Sequence, residues 1–186
     1  MKICRNSFKP IFLVLFVLAF SFPSQAAVNT AKEIDVGVDA TLDRFKEEVP
    51  GAELFLSKAS GALTFPNVYK AGIGIGAEYG EGALRVAGKT IKYYSTAAAS
   101  IGFQFGAQAK SIILIFTSKK ALETFQKSDG WEAGVDGSVA LITLGMGDSL
   151  DTTNVKDPIV AFIFGQKGLM YNLTLEGSKF SIITPK

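Results

Sequence analysis

The chain of 186 residues contains no histidine, and its single cysteine is Cys4. Without histidine, a Ser-His-Asp triad and a histidine-containing metal site are excluded. With one cysteine, a disulfide cannot form within the chain. Carboxylates are the catalytic groups that remain, and the stability of the fold must come from packing of the apolar residues, which make up 48% of the chain.

The first 26 residues have the layout of a secretory signal peptide. A basic start is followed by an apolar run over 11–22 and by the small residues Ser24 and Ala26, which suit signal-peptide cleavage. The apolar run is shorter than the roughly 20 residues that a membrane-spanning helix needs. We therefore expect cleavage and export to the periplasm or the medium, with an uncleaved anchor as the alternative. The basic residues of this segment are Lys2, Arg5 and Lys9.

Loss of this segment would change the net charge of the protein. The whole chain has 19 basic and 17 acidic residues, whereas 16 basic residues remain against 17 acidic ones without the leader, a net charge of −1. A charge near zero gives no general attraction to nucleic acid or to an anionic membrane. We expect no nucleic-acid partner, and the composition points to neither a particular protein partner nor an oligomeric state.

The remaining segment, 27–186, is predicted to form a single α+β domain. Apolar residues at spacings of three and four predict an amphipathic helix from Asn29 or Thr30 to Pro50-Gly51, and a short helix is expected over 52–60. Helices followed by antiparallel strands predict a sandwich or barrel-like sheet. Strands are expected at 70–79, 83–87, 90–95, 98–107, 111–117, 131–141, 159–165, 169–175 and 179–183, one helix at 118–127, and hairpin turns at Gln166-Lys167 and Gly177.

Residues 72–82, GIGIGAEYGEG, place a glycine at almost every second position. Gly72, Gly74 and Ala77 satisfy the loose pattern of a dinucleotide-binding turn, but that turn requires a helix that starts within the glycines. The glycine-rich residues that follow disfavour a helix, so no dinucleotide and no other cofactor is expected. We predict instead a strand with one bare face, which the N-terminal helix, a second sheet or an acyl chain approaches closely.

Alternation along the strands predicts which residues share this bare face. Gly72, Gly74, Gly76, Gly80 and Gly82 are expected on it, with Glu78 as its only charged residue, and Gly102 and Gly106 line the bare face of a second strand in the same way. The opposite face is predicted to point toward the core and to carry Ile73, Phe103 and Phe105.

Four segments taken together resemble the SYLF domain, also called DUF500. They are FPNVYKAGIGIGAEYGEGALRV, SIGFQFGAQAKSIILIFTSKKALETF, WEAGVDGSVAL and KGLMYNLTLEGS, and the resemblance extends over about 30–185. Eukaryotic SYLF domains, to which this chain is similar, bind phosphoinositides, and some fungal ones also bind actin. Bacterial members of the family are typically exported proteins. The resemblance implies a non-enzymatic, envelope-associated module that binds phospholipid or a membrane surface. A structural or protein-interaction domain without a lipid ligand is the alternative.

The segment GKTIKYYS is the predicted contact with lipid, because tyrosines beside lysines suit the polar-apolar boundary of a membrane. An ordinary solvent-exposed strand is the alternative. The N-terminal helix has a net charge of −3 over 32–48, which anionic head groups repel by roughly 1 kcal/mol per charge, so we expect this helix to cover the core. The predicted lipid-binding residues are Lys89, Lys92, Tyr93, Tyr94, Gly72, Gly74, Gly76, Gly102 and Gly106.

Carboxylates offer two further alternatives. Two of them about 5–10 Å apart could hydrolyse a glycoside, with Glu78, Asp136, Asp148 and Asp151 as candidates. Asp148, Asp151 and Asp157 could bind Ca²⁺, although their spacing does not match an EF-hand loop. The sequence shows no pairing of these groups, and we predict neither a catalytic nor a metal site.

Overall fold

The computed structural model describes residues 29–128, 130–143, 157–168, 175 and 177–186. Within these ranges the chain forms three helices and six strands. Two helices precede the strands and the third lies between the second and third strands, which confirms the α+β class. The predicted leader, residues 144–156 and most of the predicted strand 169–175 lie outside the described residues. The helices are α1 (Ala31–Glu48), α2 (Ala52–Lys58) and α3 (Lys119–Lys127); the strands are β1 (Gly61–Val86), β2 (Lys89–Phe116), β3 (Trp131–Glu132), β4 (Ala140–Thr143), β5 (Ile159–Gly168) and β6 (Lys179–Ile183).

Helix α1 begins at a capping box and covers the core, as predicted. The Thr30 hydroxyl accepts a hydrogen bond from the Glu33 N–H at 3.2 Å, and the Glu33 carboxylate accepts one from the Thr30 N–H at 2.8 Å. The helix ends before Pro50-Gly51, where Gly51 adopts a φ of 81° that favours glycine. Its buried face consists of Ile34, Val38, Thr41 and Phe45.

Strands β1 and β2 form one long hairpin, with 26 and 28 residues. The five short strands predicted between 70 and 117 are parts of these two. Ala87 and Gly88 join them, both at positive φ, as a tight two-residue hairpin turn requires. Register shifts, one of them between Ile73 and Ile75, let the hairpin bend without ending either strand.

Strand β2 is the centre of the sheet, which curls into a half-barrel. Along one edge it pairs with β1, and along the other its first half pairs with β6 and its second half with β5. Strand β3 pairs with β6 in the antiparallel direction, and β4 pairs with β5 in the parallel direction. The prediction of a wholly antiparallel sheet is therefore wrong for the β4–β5 pair.

Two apolar layers stabilise this arrangement. Inside the curl, the ring of Phe125 lies 5.0 Å from that of Phe116 and 5.5 Å from the ring of Trp131. On the outside, α1 and α2 cover the sheet, with the Phe45 ring 4.8 Å from that of Phe162. The sheet therefore has an inner core and an outer, helix-covered core.

The two predicted hairpin turns have different outcomes. Gln166 and Lys167 lie within β5, so the turn predicted there is wrong. At Gly177 a turn is present, because Gly177 has a φ of 74° and the Ser178 N–H donates to the Leu175 carbonyl at 3.0 Å. Most of the strand predicted before this turn lies outside the described residues.

Candidate functional site

The glycine face of β1 lies on the inside of the curl. Gly76, Gly80 and Gly82 are buried there, and a Cβ added to Gly80 would lie 2.8 Å from the Asn67 carbonyl oxygen. A Cβ on Gly82 would collide with the carbonyl oxygen of Thr64. The first half of β1 therefore lies against its second half, and this contact is what requires the glycines at 80 and 82.

The other predicted glycines are placed differently. Gly72 is half-buried and packs against Gly76 across the bend, whereas Gly74 is exposed at a φ of 70° with open space around its Cα. The prediction that Gly74 shares the buried face is wrong, because the register shift removes it from the alternation. Gly102 lies within β2, and Gly106 pairs with Gly72.

The inner face of the bend carries a buried ion pair. Lys110 Nζ lies 2.9 Å from Glu78 Oε2, and the two side chains are 0% and 5% exposed. The carboxylate that alternation predicted on the glycine face is there, but it is paired with a lysine. This pairing makes Glu78 a structural group that joins β1 to β2.

The outer face of the bend exposes three large apolar side chains, which we call the apolar tip: Ile73, Ile75 and Ile101. They are 77%, 69% and 88% exposed, and Ile75 lies directly opposite Ile101 in the register. The prediction that Ile73 points toward the core is wrong, because the curl puts the glycine face inside. The side chains of Phe103 and Phe105 lie outside the described part of the chain.

The surface around the apolar tip carries no exposed charge within the described residues of 69–79 and 97–110. Its charged residues, Lys70, Glu78 and Lys110, are all buried. Tyr69 and Tyr79 border the tip at 63% and 40% exposure, and the other outward residues are small. Large apolar side chains exposed together in this way are typical of an interaction site.

The predicted lipid contact at GKTIKYYS is divided between two faces of β2. Lys89 and Lys92 are exposed near the hairpin turn, and Tyr93 is half-buried. Tyr94 is 1% exposed, with its ring 5.1 Å from that of Phe125 inside the core. Because successive side chains of a strand point to opposite faces, Tyr94 cannot share a surface with Tyr93, and its assignment to a lipid contact is wrong.

Acidic residues of α1 bind the β1–β2 hairpin. The Asp35 carboxylate accepts hydrogen bonds from the Thr90 hydroxyl at 2.7 Å and the Tyr93 hydroxyl at 2.9 Å. Arg85 donates to Asp39, and this bond holds the pKa of that carboxyl below its usual value. Burial, followed by the contact with Asp35, raises the pKa of Tyr93. The sequence pattern showed the charges on this helix but not their partners.

A groove of about 290 Å³ lies where the start of α1 meets the two halves of β1. Within it the Glu81 carboxylate accepts hydrogen bonds from the Asn29 N–H at 2.9 Å, the Asn29 side-chain amide at 2.8 Å and the Tyr79 hydroxyl at 2.8 Å. Burial, and then the hydrogen bond to Glu81, raise the pKa of Tyr79 to about 12. The sequence analysis did not anticipate this groove.

Comparison with known protein families finds a match for the C-terminal half of the chain. Residues 97–184 match the family model Ysc84, described as Las17-binding protein actin regulator. This match agrees with the resemblance to the SYLF domain over these residues. The matched segment runs from the middle of β2 to the residue after β6, whereas the resemblance over 30–96 lies outside it. No curated protein is a significant match to the chain.

The matched segment therefore includes one of the three residues of the apolar tip and leaves out the other two. Ile101 lies inside the matched segment, whereas Ile73 and Ile75 lie on β1, which pairs along the length of β2. The groove lies wholly outside the match, between α1 and β1.

The remaining carboxylates form no metal site in the described ranges. Asp136 is exposed and accepts a hydrogen bond from the Glu132 N–H at 2.7 Å within a turn. Asp157 is half-buried, and Asp148 and Asp151 lie outside the described residues. Among the helices that the structure describes, none has the length and apolar character needed to cross a bilayer.

Proposed function

We propose that this protein is an exported, non-enzymatic SYLF module of the cell envelope that binds phospholipid membranes through its apolar tip. The observation that carries the proposal is the exposure of Ile73, Ile75 and Ile101 on a part of the hairpin, 69–79 and 97–110, whose described residues expose no charge. Export after cleavage near residue 26, to the periplasm or the medium, belongs to the same proposal and is supported by the layout of the leader. A single domain over 27–186 is supported by the pairing of β1 along β2.

The energetics of the tip fit reversible binding to a membrane surface. Complete burial of an isoleucine side chain contributes roughly 1.5–3 kcal/mol, so three isoleucines supply binding on the scale of a single acyl anchor. Tyr69 and Tyr79 at the border of the tip suit the interfacial region, where tyrosine is enriched. The tip would therefore enter the apolar boundary of one leaflet without spanning the bilayer.

The distribution of charge argues against a requirement for anionic lipid. The described hairpin residues around the apolar tip, 69–79 and 97–110, include no exposed lysine or arginine, and α1 carries excess acidic residues. The exposed Lys167 and Lys179 lie on the neighbouring strands, paired with Ala109 and Ala97. Lys89 and Lys92, at the far end of the hairpin, would make at most a secondary contact with head groups. We therefore expect binding to depend weakly on ionic strength, unlike binding that is driven by exposed charges.

Vesicle co-sedimentation of the mature protein tests this function. One set of vesicles contains only phosphatidylcholine, and the other contains phosphatidylcholine with phosphatidylglycerol. The proposal expects sedimentation with both, and with little change between low and high salt. Absence of binding to either composition would overturn it.

The second candidate is a protein-interaction domain without a lipid ligand. The family description as a Las17-binding actin regulator favours it, as does the edge of β1 opposite β2, which has no strand partner among the described residues. Co-sedimentation with filamentous actin distinguishes the two candidates. Binding to actin, together with failure to bind either set of vesicles, would favour the second.

A further inference from the structure

We propose that the groove between α1 and β1 binds an organic ammonium group, that of the ethanolamine or choline head group of a zwitterionic phospholipid. The inference rests on the proposed function, because it assigns the head group of the lipid whose acyl region the apolar tip would contact. Free ammonium compounds share this chemistry, and the experiment below separates them from lipids.

The size of the groove suits a head group. Its volume of about 290 Å³ is at the lower limit of small-molecule sites, which have volumes of about 300–1,000 Å³. A complete phospholipid would not fit, but a trimethylammonium or ethanolammonium group would.

The lining of the groove favours a cation. Two tyrosines, Tyr69 and Tyr79, and two carboxylates, Glu33 and Glu81, contribute to it, and no lysine or arginine is among the described residues that line it. Aromatic rings attract cations to their faces, and quaternary ammonium ligands are commonly held in this way. The Glu81 carboxylate is held in place there by the hydrogen bonds that it accepts from Asn29 and Tyr79.

The start of α1 does not turn this groove into an anion site. A helix N-terminus attracts anions through its free N–H groups. Here the Thr30 N–H donates to Glu33 and the Asn29 N–H donates to Glu81, so carboxylates of the chain already occupy that position. The phosphate of a lipid would meet negative charge in the groove and would have to remain outside it.

The groove and the apolar tip lie along the same strand. Tyr69 and Ile73 are on the outer face of β1, as are Ile75 and Tyr79, and each pair is four residues apart. Four residues of a strand span roughly 13 Å. A head group held between the tyrosines would therefore place the start of its acyl chains within reach of the tip.

Titration with soluble probes, followed by amide chemical shifts in nuclear magnetic resonance spectra of the mature protein, tests the groove directly. We expect saturable shifts at Asn29, Gly80 and Glu81 with choline and tetramethylammonium, and none with inorganic phosphate. Tyr69→Ala and Glu81→Gln should each weaken choline binding at least about fivefold, whereas Tyr69→Phe retains it. Glu53→Gln, an exposed acid on α2, is the matched control. An equal response to potassium chloride would overturn the assignment, because it would show only general charge screening.

Vesicle binding by the same variants separates this inference from the proposed function. Loss of preference for phosphatidylcholine over phosphatidylglycerol in Glu81→Gln supports the groove as the head-group site. Unchanged vesicle binding and lipid preference in Tyr69→Ala and Glu81→Gln would overturn the groove assignment and leave membrane binding by the tip intact. Choline binding without any vesicle binding would overturn the membrane function and identify free ammonium compounds as the ligand.

Discussion

Lys110 and Glu78 form an ion pair at 2.9 Å inside the curl of the sheet, on the face opposite the exposed isoleucines. The pair joins the second half of β2 to the second half of β1, which are separated by the bend of the hairpin. The paired charges of Lys110 and Glu78 are both buried here, and their contact links the two strands at the bend of the hairpin. The exposure of the apolar tip is thus coupled to a buried polar contact.

Removal of one partner of this pair should destabilise the fold strongly. Lys110→Met leaves Glu78 buried without its counter-charge, and breaking a buried pair costs about 3–5 kcal/mol. We expect the double variant Lys110→Met/Glu78→Gln to be more stable than Lys110→Met alone. Urea denaturation measures both free energies of unfolding. A Lys110→Met protein as stable as wild type would contradict the structural role of the pair.

A side chain at Gly82 should disturb the contact between the two halves of β1. Its Cβ would collide with the Thr64 carbonyl oxygen, and overpacking of this kind typically costs about 1–3 kcal/mol. We expect Gly82→Ala to lower the midpoint of thermal unfolding. Ala77→Ser, at an exposed position of the same strand, is the control and should leave the midpoint unchanged.

Loss of Asp35 should loosen the attachment of α1 to the hairpin. Asp35→Ala removes the acceptor of the Thr90 and Tyr93 hydroxyls, and hydrogen bonds to a charged group contribute about 1.5–3 kcal/mol each in favourable cases. We expect faster amide hydrogen exchange in α1 than in wild type. The control is Asp43→Ala, since Asp43 pairs with Lys46 on the exposed side of the same helix. Equal exchange in the two variants would argue against the attachment.

The phenol of Tyr79 should remain protonated at a pH at which an ordinary tyrosine ionises. Its pKa of about 12 in the folded state lies above the usual value of 10. The neutral phenol therefore contributes stability that is complete below pH 10 and is lost as the pH rises toward 12. Ultraviolet titration of the phenolate should show a step near pH 12 that disappears in Tyr79→Phe and persists in Tyr69→Phe. Persistence of the step in Tyr79→Phe would assign it to another tyrosine and contradict the prediction.

The parts of the fold that depend on neighbours along the chain could be predicted from the sequence. The apolar spacing, the cap at Asn29 or Thr30 and the Pro50-Gly51 end predicted α1, and the net negative charge of the helix predicted that it covers the core. The two long strands could not be recognised, because glycine-rich bends between short apolar runs give the same pattern as turns. Register shifts at these bends kept each strand continuous.

The candidate site depended on information that local pattern does not contain. Alternation correctly separated Ile73 from Gly72, but it could not tell which face a curled sheet would enclose, so the isoleucine was assigned to the core. The groove depends on contact between Asn29 and Glu81, which are 52 residues apart in sequence. Its tyrosines and carboxylates are ordinary surface residues until the helix and the bent strand bring them together.

Vesicle binding by a variant without the apolar tip tests the central claim most directly. The mature Ile73→Ser/Ile75→Ser/Ile101→Ser protein is compared with Val36→Ser/Leu54→Ser/Val135→Ser, which removes three exposed apolar side chains elsewhere. Both should fold as wild type does, because all six positions are exposed. We expect the tip variant to bind phosphatidylcholine vesicles at least about tenfold more weakly than wild type, and the control variant to bind as wild type does. Equal binding by the two variants would contradict the account.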